Sequence, residues 1–122
     1  MILCFRGDPR TKKNHQQICH ANGRMHVVQS EAYKQYERDC LWQIPYNFKL
    51  TIDYPVNVKC LFYMQTHRIV HLNGLIQSID DILVKGGVLQ DDNSRIVVAH
   101  DGSRVLYDKK NPRVEIYIEV IK

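Results

Sequence analysis

The chain has 122 residues, 44% hydrophobic and 25% charged, which is the balance of one ordinary folded domain spanning 1–122 and excludes a disordered or fibrous polymer. No apolar run approaches the roughly 20 residues that cross a bilayer, and Met1 leads within a few residues to Arg6 and Gly7, so neither a membrane protein nor a secretory leader is expected. The formal net charge of +4 permits a polyanionic partner without demanding one.

Ile2 to Phe5 is a short apolar run closed by Gly7-Asp8-Pro9, the pattern of a first strand and a turn. Arg10 to Gly23 is polar, basic and without periodicity, and predicts a long loop. Ser30 is placed as a helix N-cap with Glu31 in the first turn. Tyr33, Tyr36, Cys40, Leu41 and Ile44 then recur at helical spacing, up to a stop before Pro45. From Pro55 to Met64, residues Val56, Val58, Cys60, Phe62 and Met64 alternate with Asn57, Lys59, Leu61 and Tyr63, which predicts a strand.

Leu72, Leu75, Ile76, Ile79, Ile82 and Leu83 form the clearest amphipathic helix, running from about residue 73 to 85, with Gly86-Gly87 as its stop. After Val88-Leu89 comes the acidic turn Asp91-Asp92-Asn93-Ser94, then Ile96-Val97-Val98 as a buried strand and Asp101-Gly102 as a turn. Val114, Ile116, Ile118 and Val120 alternate with polar neighbours in a last strand. The expected fold class is α+β (mixed α/β): a small mixed sheet of about four strands with two main helices packed on one face.

Residues 1–24 carry Arg6, Arg10, Lys12, Lys13 and Arg24 against Asp8 alone, which suits either a phosphate-binding face or a solvated flank. Cys4, Cys19, Cys40 and Cys60 include no Cys-x-x-Cys pair, so reduced thiols and a cytoplasmic location are expected. The polar residues that could carry chemistry are His71 and Asn73 at the start of the second helix, Asp80-Asp81 within it, and Asp91-Asp92-Asn93 beyond it. Each has a plain structural reading as well. Asn73 suits an N-cap, His71 an exposed loop, Asp80 a solvated helix charge and Asp91-Asp92-Asn93 a turn. Trp42 and the tyrosines at helical spacing suit the core.

The stretch His71-Leu72-Asn73-Gly74-Leu75, then Gln77, Asp81, Lys85-Gly86-Gly87 and Asp91-Asp92, resembles without a gap the signature of the RusA-like family of Holliday-junction resolvases. That signature opens a helix with Asp-Leu-Asp-Asn-Leu, follows with a lysine and a further Asp, and closes on an Asp-Asp pair. Gly7-Asp8-Pro9-Arg10-Thr11-Lys12-Lys13-Asn14, His100-Asp101-Gly102-Ser103-Arg104, Tyr107-Asp108-Lys109 and Asn111-Pro112-Arg113 resemble a phage and bacterial branch of the same family.

The resemblance implies a RusA-like fold and a homodimeric, metal-dependent endodeoxyribonuclease acting on branched, four-way-junction DNA in recombination and repair, with Mg²⁺ or Mn²⁺ as cofactor. It implies metal ligands at His71, Asn73, Asp91 and Asp92, catalytic roles for Asp91, Asp92 and Gln77, and DNA contacts from Arg10, Lys12, Lys13, Asn14, Arg68, Lys85 and Arg104. The chain departs from the pattern at four positions. His71 and Asn73 stand where the family has aspartates, Gly74 where it has asparagine, and Gln77 where it has lysine. Imidazole and amide ligands favour borderline metals such as Mn²⁺ or Zn²⁺ over Mg²⁺. The altered motif leads to the expectation of either a weak, manganese-dependent nuclease or a protein that binds junctions without cutting them. Either outcome requires the start of the second helix and the acid pair to meet at one pocket.

Overall fold

The structure, a computed structural model, describes residues 1–12 and 31–121 with their side chains, and the backbone of 16–21 and 24–29. Its elements are β1 (Ile2–Arg6), β2 (Gln16–Ala21), β3 (Arg24–Gln29), α1 (Glu31–Trp42), β4 (Val56–Met64), α2 (Leu72–Lys85), β5 (Val97–Ala99), β6 (Arg104–Tyr107) and β7 (Arg113–Val120). The architecture is α+β, as the periodicities predict. β1, β7 and β4 lie side by side, and β4 carries both β5 and β6 on its far edge.

β7 runs antiparallel to both neighbours. Its register places Val114 opposite Phe5 and Phe62, and Ile116 opposite Leu3 and Cys60. Those side chains are all at most 3% exposed and form one face of the core. Period-two alternation turns every other residue of three strands to that face, so the register cannot slip by one residue without exposing the whole set. Tyr33, Tyr36, Cys40 and Ile44 of the α1 segment, and Leu75, Ile79, Ile82 and Leu83 of α2, cover it. Each fully buried aliphatic or aromatic side chain contributes about 1.5–3 kcal/mol.

Several expectations need correction. The segment 10–23, expected as a loop, contains β2, which pairs only with β3, from Gln16↔Gln29 to Ala21↔Arg24. This hairpin is a separate two-stranded sheet, so its strands lack the apolar alternation of strands lining a core. β6 was not expected either. It lies on the sheet edge with Arg104, Val105 and Tyr107 exposed, so the main sheet has five strands rather than about four. Trp42, expected in the core, is 89% exposed, because it falls on the side of α1 opposite Tyr33, Tyr36 and Cys40. Val98 is exposed while Ile96 and Val97 are buried. The expected cap Ser30 lies outside the described residues.

The chain beyond α2 is held against Ile52 rather than left to swing. Thr51 and Ile52 donate their N–H groups to the carbonyls of Gly87 and Val88 (2.8 and 3.0 Å), and Gln90 N donates to Ile52 O at 2.9 Å. The turn that follows closes on Asn93, whose carbonyl accepts from Ile96 N and Val97 N and whose side chain accepts from Arg95 N. These bonds place Asp91 and Asp92. No described helix is long and apolar enough to cross a membrane.

Candidate functional site

α2 buries an apolar stripe and leaves a polar one. At about 100° per residue, Asn73, Gln77 and Asp80 fall within about 60° of one another around the helix axis, and Asp81 borders them. His71 occupies the N-cap position with extended backbone and makes no capping hydrogen bond through its side chain. The cap position is therefore two residues earlier than Asn73, which sits in the first turn. His71, Asn73 and Gln77 are all exposed.

Asp80 is not a solvated helix charge. It is 6% exposed, and its Oδ2 stands 2.9 Å from His100 Nε2. Its other oxygen, Oδ1, is buried without a hydrogen-bond partner. A buried carboxylate oxygen left unpaired carries a desolvation cost of about 1–3 kcal/mol or more. The hydrogen bond to Asp80 raises the pKa of His100 above its ordinary value, burial opposes this, and the charges of Asp80 and Asp92 add to the rise. His100 is thus held toward its imidazolium form.

The acid turn beyond α2 lies within electrostatic reach of the helix acids. The carboxyl of Asp92 is pushed up first by partial desolvation and next by the charge of Asp80, with Asp81 contributing further. Asp91 interacts with Asp92 and is braced within the turn itself. It is fully exposed, accepts from Asp92 N and from Asn93 Nδ2 at 2.8 Å each, and is held below the usual carboxylate range by the Asn93 bond first. Asp91 thus shapes the turn, and Asp92 feels the charges of the helix acids.

The segment after β1 lies along the same helix. Thr11 is buried, and a Cβ added at Gly74 would stand 3.3 Å from its Cγ2, so the absence of a side chain at Gly74 allows this approach. Lys12 N donates to Ser78 Oγ at 3.2 Å, and Lys12 Nζ pairs with Asp81 Oδ2 at 2.6 Å. Arg68 braces the segment from the other side, donating from Nη1 to Asp8 Oδ2 (2.7 Å) and from Nη2 to Pro9 O (2.8 Å). A hollow of about 200 Å³ opens beside it, lined by Pro9, Arg10, Thr11, Arg68, Ile69, Val70 and Leu75.

Of the expected DNA contacts, Arg10, Lys12 and Arg68 thus converge on the first half of α2. Lys85 is at the far end of α2, paired with Glu37 at 2.9 Å. Arg104 is exposed on β6. Lys13 and Asn14 lie outside the described residues. The sequence reading missed Asp80 and His100 as partners. Asp80 is flanked four residues either way by Ile76 and Val84, which marks a half-buried helix position. Nothing in the spacing announces His100, which reaches it from beyond β5.

Hard oxygen donors of this kind suit Mg²⁺ or Mn²⁺. Among the described residues, no three histidine, cysteine or acidic side chains stand close enough together to enclose a cation on their own. Mg²⁺ is commonly held by one or two carboxylates together with waters and substrate phosphates, and Asp92, whose carboxyl feels the charge of Asp80, offers one carboxylate of that kind. No protein-family model matches the chain, and no curated protein matches it.

Proposed function

We propose that this chain is a RusA-like endodeoxyribonuclease that acts on four-way DNA junctions with a divalent cation at Asp80 and Asp92. The observation that supports this most directly is Asp80, a buried carboxylate on α2 with one oxygen unpaired, whose charge helps to push up the carboxyl of Asp92. Carboxylates missing at 71 and 73 are thereby replaced by one on the same helix face, two turns further along. A bound Mg²⁺ or Mn²⁺ would offset phosphate charge and activate a water. His100 orients Asp80, and the Lys12–Asp81 pair fixes the loop edge of the site. Arg10 and Arg68 offer guanidinium groups to the DNA backbone in the adjoining hollow. Two copies related by a two-fold axis would present two such sites to opposite strands of a junction.

The test is cleavage of a synthetic four-way junction by purified protein with Mg²⁺ and, separately, Mn²⁺. Nicking in either metal, abolished in Asp92→Asn, is the expected result. Absence of nicking in both with protein in excess removes the enzymatic reading.

A second reading has its own support. Asp80 and Asp81 each already hold an internal cation, His100 and Lys12, and positions 71, 73 and 77 carry neither carboxylate nor ammonium. On that reading the chain binds junctions without cutting them. Tight junction binding without cleavage, and cleavage gained in the triple variant His71→Asp, Asn73→Asp and Gln77→Lys, would establish it. A junction affinity no better than that for linear duplex would remove both readings.

A further inference from the structure

The end of α1 carries a surface that the acidic site does not use. Trp42, the last residue of α1, is 89% exposed, and so is Tyr46 one turn beyond it. The indole borders an open hollow of about 310 Å³ whose other lining residues are Arg38, Leu41 and Lys49. That volume is at the lower end of the about 300–1,000 Å³ typical of ligand sites. The floor is firm. Leu41 abuts Gly86 at the end of α2, where an added Cβ would stand 3.4 Å from Leu41 Cδ2 and would collide with Ile44 Cδ1.

No carboxylate lines the hollow, and neither cation has an acidic partner among the described residues. Arg38 donates to Gln35 Oε1 at 2.9 Å, and the ion pairs of the described residues include neither Arg38 nor Lys49. An exposed indole between two unneutralised cations complements a planar, anionic partner. A second copy of the chain seated here across a two-fold axis would bring each cation toward the same cations of its mate, which like-charge repulsion opposes.

We propose that this hollow binds single-stranded nucleic acid, with an unpaired base stacked on Trp42 and the flanking phosphates held by Arg38 and Lys49. Stacking on an aromatic face together with a basic rim is the general means of holding a single strand without reading its sequence. The inference stands whether or not the acidic site cleaves junctions.

Trp42 is the only tryptophan in the chain, which also has seven tyrosines, so emission excited at the red edge, where tyrosine does not absorb, reports on this hollow alone. Titrating the full chain with a short oligothymidylate at low salt is expected to quench that emission saturably. With a dye-labelled oligothymidylate, Trp42→Ala is expected to weaken binding about tenfold or more, with Trp42→Phe in between. The double variant Arg38→Ala, Lys49→Ala should weaken binding and flatten its salt dependence. The exposure of Trp42 leaves the fold independent of it, which an unchanged circular dichroism spectrum and melting temperature would establish. Absence of quenching, equal affinity for linear duplex, or unaltered affinity in Trp42→Ala overturns the proposal. So does an emission shift that follows protein concentration without oligonucleotide, which assigns the hollow to a second copy. Junction cleavage in Trp42→Ala separates a failure here from a failure at Asp80 and Asp92.

Discussion

At the scale of single residues, the site is a place where like charges are held together. Asp92 is pushed up by desolvation and by Asp80 and Asp81, so its charge works against the fold in the absence of a cation. Asp92→Asn is therefore expected to raise thermal stability at neutral pH. The gain should be modest, about 0.2–1 kcal/mol, because Asp92 is largely solvated. Scanning calorimetry should show the rise. It should also show that Mn²⁺ stabilises the parent chain and not the variant. A fall in melting temperature for Asp92→Asn would mean that the charge is structural.

Asp108 has the opposite sign. Its carboxylate pairs with Arg113 at 2.9 Å and accepts from Lys110 N and Asn111 N at 3.2 Å each, and the Arg113 bond is the main cause of its lowered pKa. A depressed folded-state value means that the stabilising contribution is present above the ordinary value of 3.8 and is lost as pH falls through the folded value. Asp108→Ala should thus be less stable than the parent at neutral pH, with the difference shrinking in acid below that range. Paired denaturant titrations across pH would reveal a constant gap if the carboxylate plays no such part.

At the scale of elements, α2 is the piece on which the rest depends. It ends at Gly86 and Gly87, and Gly87 has φ 80, a left-handed conformation that costs a residue with a Cβ about 1–2 kcal/mol. Gly87→Ala should lower stability by about that amount. It should also blunt any response to metal, because the Gly87 carbonyl accepts the Thr51 N–H that helps to anchor the chain leading to Asp92. Urea denaturation measures the first effect and melting with and without Mn²⁺ the second.

Both helices and the strands β1, β4 and β7 were legible because each has one face in a single core. Period-two and helical spacing record that directly in Val56–Met64, Leu72–Leu83 and Val114–Val120. The hairpin left a different trace. Asn22-Gly23 between two short runs is a hairpin signal, but the polar composition around it hides the strands. β6 leaves almost none, since an edge strand of four residues with an exposed alternation resembles a loop.

At the scale of the whole molecule, the site was legible only in part. The spacing of Asp91-Asp92 from α2 was visible, yet which acid faces the helix depends on the bonds between 51–52 and 87–90, residues far apart in the chain. His100 reaches Asp80 through the path of β5 beside β4. Such partnerships are properties of topology, and local patterns do not encode them.

The sheet also joins the two extremes of the chain. Met1 donates to the Ile118 carbonyl, 117 positions away, and β1 lies in register along β7. Contacts this distant make closure late and slow relative to helix formation. During synthesis β1 leaves the ribosome well before β7, and Leu3 and Phe5 stay unshielded until β7 arrives to pair with it. Assembly of the sheet accordingly waits for β7, and the interval before it is when this chain is most open to aggregation.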